Sequence, residues 1–425
     1  MNLAPGPTPD STAFAPPANA AARARWLALL AAFLGWMFDG FEQAIFPLIA
    51  NPALTELTGG AEQAKNLWNG YITASWLLGA ACGGLVFGWL GDRLGRVRAM
   101  SMSILLYSLF TGLGYFAGAP WQLAALRFVA SLGMGGEWAL GVALVMECWP
   151  DRWRPLLAGA IGAAANVGYL VLGTVGYFFP VTPHSWRWVL LAGTAPALLT
   201  FLILFFVPES ERWKQSVTRA VSRPTSEIFS PALRSQTVLA IVFASVALIG
   251  TWGSVQQIPF WVDKQLAHGH PTAKAVAQAA SGVGAILGCL IAPLLGGRIG
   301  RRPAYFLLCL SSLAASSALF WGMHSYNALF VLMVGVVGGV TAAFYGWLPL
   351  YLPELFPTRV RATGQGVSYN SGRIFAALAA LNLGPIVNFY AGNYARMCGT
   401  ITLVYVLGLV FIWFAPETKG RPLPE

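Results

Sequence analysis

The chain has 425 residues, of which 56% are hydrophobic and 10% charged, against roughly 25% charged in an ordinary soluble domain. So few charges cannot clothe a surface in water, which excludes a soluble enzyme and leaves the bilayer as the main solvent. The net charge of +10 suits nucleic acid or anionic lipid in sign alone; its distribution along the chain follows membrane topology instead, and no nucleic-acid partner is expected.

Residues 1–22 are rich in Ala, Pro, Ser and Thr, and 1–25 is expected to be a disordered cytoplasmic N-terminus. No basic start precedes its weakly apolar stretch, so it does not read as a signal peptide. Apolar blocks of spanning length follow near 26–50, 67–90, 99–118, 121–146, 156–180 and 187–207. A second set falls near 236–260, 273–296, 303–323, 326–352, 363–391 and 396–415. The expected architecture is an all-α membrane protein of twelve transmembrane helices in two six-helix bundles, 26–207 and 236–415. They are joined by a polar cytoplasmic linker, 208–235, and followed by a cytoplasmic tail, 416–425. With both termini inside, nineteen of the 26 Lys and Arg residues lie in inside loops and tails. Five lie outside: Lys65, Arg187, Lys264, Lys274 and Arg396. That asymmetry fits the positive-inside rule and sets the expected orientation in the cell (inner) membrane.

The halves repeat each other. Glu147, Pro150, Arg152, Arg154 and Gly159 recur 207 positions later as Glu354, Pro357, Arg359, Arg361 and Gly366. Gly95-Arg96 recurs as Gly300-Arg301, and Pro208-Glu209-Ser210 as Pro416-Glu417-Thr418. Three landmarks at nearly one offset indicate a duplicated six-helix unit, an arrangement common among secondary transporters. The five cysteines are widely spaced, without the pairing of a metal site or disulfide framework. No cofactor is expected.

The loop after the second helix reads GWLGDRLGRVR, residues 88–98, and resembles the signature loop of the major facilitator superfamily. PESERW at 208–213 and PETKGRPL at 416–423 resemble the sugar-porter branch and its relatives. GWMFDGFEQAIFP at 35–47 and RFVASLGMGGEWALGVALVMECWP at 127–150 resemble the metabolite:proton symporters that carry lactate, sialate and aromatic acids. Helix 7 reads GTWGSVQQIPFW and lacks the His and Asp of the corresponding motif in fungal lactate permeases.

These loops are expected to form a cytoplasmic gate from Asp92, Arg93, Arg96, Glu147, Arg152, Arg301, Glu354 and Arg359. Asp92 would accept hydrogen bonds from the N-terminus of helix 11, Arg96 would pair with Glu147, and Arg301 with Glu354. In the second half Gly297 stands where that Asp would be, so its latch is expected to be weaker. The alternative is that the charges only fix topology.

Ionisable residues inside spans are costly and default to functional candidates. Asp39, Glu42, Arg127 and Glu137 are the candidates for proton coupling. By resemblance to sugar porters, Asp39 on helix 1 pairs with Arg127 on helix 4; a static salt bridge is the alternative role. Glu42 could share the proton, contact substrate or pack against helix 5. Glu137, among Gly133, Gly135, Gly136 and Gly141, could hold helices together or be a second protonation site. Arg373 lies near the midplane of helix 11 and has Asn166 as its repeat partner. With Asn370 one turn away, it suggests a site for an organic anion. Neutralisation of Arg373 by Glu137 or Asp39 is the competing explanation. Gln256 and Tyr345 complete the substrate-binding candidates.

The expected function is secondary active transport of a small organic acid with proton symport, by a protein acting as a monomer. A sugar or polyol symporter is the second reading and a non-transporting nutrient sensor the third. No phosphate-binding GxxxxGK[ST] loop occurs, which argues against ATP-driven pumping.

Overall fold

The computed structural model describes residues 18–179, 181–219, 224–266 and 273–425. Most of the expected disordered terminus (1–17), part of the linker (220–223) and 267–272 lie outside them. Among the described residues the structure is helical, without strands. The first half contains α1 (Ala18–Leu57), α2 (Glu62–Leu94), α3 (Arg96–Leu113), α4 (Pro120–Cys148), α5 (Arg154–Phe178) and α6 (Trp186–Phe206). Short linker helices Glu211–Arg219 and Pro224–Ile228 follow. The second half contains α7 (Arg234–Gly253), α8 (Ala273–Ile299), α9 (Arg301–Gly322), α10 (Ala328–Leu355), α11 (Arg361–Leu381) and α12 (Tyr394–Phe414).

Local chemistry accounts for many of the boundaries. Asn327 and Asn393 accept hydrogen bonds from the Phe330 and Arg396 amides, each 2.9 Å, and so cap α10 and α12. Pro120 and Pro155 stand in the first turns of α4 and α5, where a missing N–H costs nothing. The sharp corners between α2 and α3 and between α8 and α9 are made at Gly95 (φ 108°) and Gly300 (φ 105°), a conformation that a side chain opposes. This is why Gly-Arg recurs in both halves.

Three elements depart most from the expected spans, one being the eleventh, which ends at Leu381 rather than near 391 and is followed by a separate short helix, Leu383–Phe389. The first helix begins at Ala18 rather than near 26, so residues 18–25 are helical. The seventh breaks at Ser254 (φ −123°, ψ −61°) and continues as the turns Val255–Gln257 and Ile258–Trp261. The Ser254 hydroxyl donates to the Gly250 carbonyl, and Pro259 cannot donate to the helix.

Among the described residues, eleven of the helices are long and apolar enough to cross a membrane. The twelfth, α11, falls short because it buries Arg361, Gln365, Ser368, Asn370 and Arg373. Large apolar side chains on the outside, such as Phe205, Leu198 and Phe389, fit a lipid solvent. Between helices the contacts use small residues: a Cβ on Gly84 of α2 would collide with the Gly366 carbonyl of α11. In lipid, such close backbone approach and van der Waals packing drive association. The halves meet along α2 against α11 and α5 against α8.

Candidate transport site and linker-face gate

The midplane carries two acidic groups of opposite character. Glu42 is fully engaged: Oε1 accepts from Arg127 Nη1 at 3.1 Å and from Thr111 Oγ1 at 3.3 Å, and Oε2 accepts from Trp76 Nε1 at 3.2 Å. It ties α1 to α2, α3 and α4. Asp39, three residues earlier, is buried, and neither of its oxygens has a hydrogen-bond partner. The expected Asp39–Arg127 pair is therefore corrected to Glu42–Arg127. Arg127 lies in the second turn of α4, far from the linker, and Glu42 lies one turn further than Asp39 in that direction, at the matching level. The hydrogen bonds of Glu42 run to α2, α3 and α4, while towards α5 Gln43 accepts from Tyr169 at 3.4 Å; Tyr169 also lies within electrostatic reach of Glu42.

Glu137 of α4 is buried with both oxygens unpartnered, and Oε1 occupies the space a Cβ on Gly35 would take. It thus packs against α1 one turn before Asp39. Two unpaired carboxyl groups share this region.

Arg373 is buried and donates from Nη1 to Asn370 Oδ1 at 2.7 Å. Its guanidinium lies 5.4 Å from the Tyr369 ring and 5.7 Å from the Trp76 ring, within cation–π range. Among the described residues no carboxylate forms a salt bridge with Arg373, although Asp39 lies near enough to feel its charge. Asn370 has a bridging role: its Nδ2 donates to the Gly135 carbonyl of the first half and the Gly366 carbonyl, both at 2.9 Å. Asn166, half-buried, faces Cys289 Sγ of the second half at 3.8 Å. Tyr345, also half-buried, places its ring 6.4 Å from Tyr369. Gln256 stands exposed, whereas Gln257 is half-buried with Oε1 unpartnered; the turn after Ser254 rotates the two amides away from helical register.

Several aromatic residues of this region were not candidates from sequence. Trp138 stacks on Tyr369 at 4.1 Å and 16°, and Trp36 packs 6.4 and 6.3 Å from the two. Trp76 bonds Glu42 and faces Arg373. A signal was present for Tyr369, which precedes Arg373 by four residues and so shares its helix face. Trp36 and Trp138 lie inside the quoted symporter-like motifs.

At the linker face the same chemistry is built twice. Arg96 donates to Glu147 from Nη2 at 3.0 Å and from Nε at 3.3 Å; Arg301 donates to Glu354 at 2.6 and 2.9 Å. Glu209 accepts from the amides of Arg96 and Val97 at 2.9 and 3.1 Å, and Glu417 from those of Arg301 and Arg302 at 2.9 and 3.0 Å. Each carboxylate thereby caps a helix N-terminus. Ser210 bonds Glu147, and Thr418 bonds Glu354. Burial pushes the Glu209 carboxyl above its usual pKa. Burial also acts on Glu417, but the amides of Arg301, Arg302 and Lys419 outweigh it and hold that carboxyl below the usual range.

Contacts between halves at this face are one-sided. Asp92 accepts from the Ala362 amide at 3.1 Å, the Thr363 amide at 2.8 Å and the Thr363 hydroxyl at 2.6 Å, at the start of α11. Arg361 donates to Glu147 at 2.9 Å, and Arg96 donates to the Thr358 carbonyl at 2.6 Å. In the mirror position Arg154 bonds Asp151 rather than Glu354. Gly297 presses on Pro155, where a Cβ would lie 2.9 Å from the ring, leaving packing in place of an acid. Two expected gate residues stand apart: Arg93 and Arg152 are exposed over the rings of Trp89 and Trp153. Their side chains point to the surface, and Arg361, which was not among the expected gate residues, makes the bond to Glu147 across the halves. Arg359 bonds Glu227 of the linker at 2.6 Å.

Twelve helices in two repeated halves, with ionisable groups buried at the middle, define a multi-pass membrane transporter. The chain belongs to the Major Facilitator Superfamily, whose family model matches residues 26–380. It is a transporter of small-molecule metabolites and not an enzyme. It is 31% identical to the inner membrane metabolite transport protein YgcS of Escherichia coli, over 87% of each chain. It is 30% identical to the cis,cis-muconate transport protein of Acinetobacter baylyi, over 93% of this chain and 95% of that one. The fold matches the proton:xylose symporter XylE of E. coli with a TM-score of 0.78 at 18% identity, covering 95% of this chain and 98% of that one.

Proposed function

We propose that the protein carries a small organic acid across the membrane with protons, by alternating access, and that Arg373 binds the substrate carboxylate. The observation that carries this reading is a buried guanidinium held by Asn370 and flanked by rings, with no carboxylate of the described chain paired to it. Arg presents a fork suited to bidentate carboxylate binding. Asp39, buried without a bonded cation, is the proposed proton carrier, with Glu137 beside it; Glu42 and Arg127 serve as a fixed pair that orders the first half. A neutral carboxyl is far cheaper to bury than an unpaired carboxylate, so a proton arriving with substrate suits this site. The muconate relative, by its name a carboxylate transporter, is consistent with that chemistry.

The sugar-porter-like motifs do not favour a sugar, because PES and PET are spent on capping α3 and α9 at the linker face, away from the midplane. The linker-face network, with Asp92 on the start of α11, is the proposed cytoplasmic gate, closed in this structure. Uptake into proteoliposomes under an imposed pH gradient tests the proposal. Carboxylate accumulation driven by the gradient is expected, and hexose uptake blind to carboxylate competition would overturn it.

A further inference from the structure

We infer that Trp76 and Trp252 form the gate over Arg373 on the face opposite the linker, and that Glu42 holds it shut. The inference rests on the reading of Arg373 as the substrate-binding residue. Trp76 lies eighteen residues from the linker end of α2, about 27 Å along the axis, and Arg373 twelve residues into α11, about 18 Å. Trp76 is thus the roof on the far side of the guanidinium, and Tyr369, one turn nearer the linker, is its floor.

Three contacts converge on this one indole. Its ring faces Arg373 at 5.7 Å, its Nε1 donates to Glu42 at 3.2 Å, and it packs at 5.9 Å and 42° on Trp252 of the other half. Trp252 stands two residues before the break at Ser254, in the last turn of α7, and so is carried by a helix end. Closure here is thin. Among the described residues no hydrogen bond or ion pair joins α2 to α7. On the linker side, by contrast, α2 meets α11 through backbone contact at Gly84 and Gly88 and through Asp92. The Glu42 bond fixes the indole plane, so the acid–base pair of the first half is mechanically tied to the roof of the substrate site.

The test needs no substrate. In a background lacking the five native cysteines, Asn166→Cys reports access to the site by a membrane-impermeant maleimide applied from the face opposite the linker. An aromatic pair of this kind is worth about two- to tenfold in an equilibrium, and Trp252→Ala is expected to speed labelling by that factor. Trp252→Phe keeps a ring and should label as slowly as the parent. Trp76→Phe and Glu42→Gln each remove or weaken the N–H bond and should accelerate labelling alike. Unchanged labelling in Trp252→Ala overturns the gate, as does equal acceleration by Trp252→Phe. Where Trp252→Ala fails to fold, no acceleration in Trp76→Phe or Glu42→Gln overturns it. A parent that carries sugars instead of acids would sink the proposed function and leave this result standing.

Discussion

Glu147 of the first half and Arg361 of the second are joined by a buried 2.9 Å bond, and Glu147 also binds Arg96 and Ser210. One carboxylate thus serves the internal ion pair of its own half and the closure against the other. Removing it strands the buried Arg361 guanidinium, while Arg96 keeps its 2.9 Å contact with Asp92; a buried pair that loses one member costs about 3–5 kcal/mol. Glu147→Gln is expected to lower the melting temperature and to populate a state open at the linker face. Spin-label distances between the linker ends of α2 and α11 should lengthen; unchanged distances would deny the contact a gating role.

The Glu42–Arg127 pair makes a separable prediction. Glu42→Ala leaves Arg127 buried and unpaired and should destabilise by about 3–5 kcal/mol. Combining it with Arg127→Leu should recover a large part of that loss, since no isolated charge remains. Asp39→Asn has no bonded partner to strand and should melt close to the parent while losing gradient-driven uptake. Chemical denaturation and proteoliposome uptake on the same preparations read both effects.

Glu209 and Glu417 occupy repeat-related positions and titrate in opposite senses. The Glu417 carboxyl is held below its usual pKa, so it contributes stability that is present above the unfolded value and lost as the pH falls through the folded one. The penalty of Glu417→Gln should therefore be largest near neutrality and vanish in acid. The Glu209 carboxyl is raised by burial, so its contribution is greatest in acid and declines as the pH rises through the folded value. Melting curves of the two Gln variants between pH 4 and 8 should diverge in those directions.

Gly84 meets the Gly366 carbonyl and the Asn370 amide across the halves. A methyl group there collides with backbone, which cannot rotate away as a side chain can. Gly84→Ala is expected to disfavour the closed linker face and to cut uptake more than tenfold, and Gly84→Leu to abolish it. Reporter cysteines near Thr358 should become more accessible from the linker side in step.

The repeat made much of the linker face legible. Gly95, Arg96, Glu147 and Glu209 recur with their spacing because each half needs the same corner, cap and pair. What did not repeat was harder to read. Arg154 and Arg361 are repeat partners in sequence, yet only Arg361 reaches a carboxylate across the halves, because Asp92 occupies one side and Gly297 the other. At the midplane, residue type and depth singled out the buried charges but not who faces whom. Asp39 and Glu42 differ by three residues, and only the level of Arg127 on α4 decides its partner. Trp76 carried no signal at all, being one of seventeen tryptophans, a residue type that serves as readily at lipid interfaces as in helix packing.

The most direct measurement is the thermal shift produced by a panel of carboxylates on the parent, Arg373→Lys and Arg373→Ala. The parent should be stabilised by at least one small carboxylate, Arg373→Lys less so because a point charge replaces a fork, and Arg373→Ala not at all. A carboxylate shift of full size in Arg373→Ala would contradict the anion site.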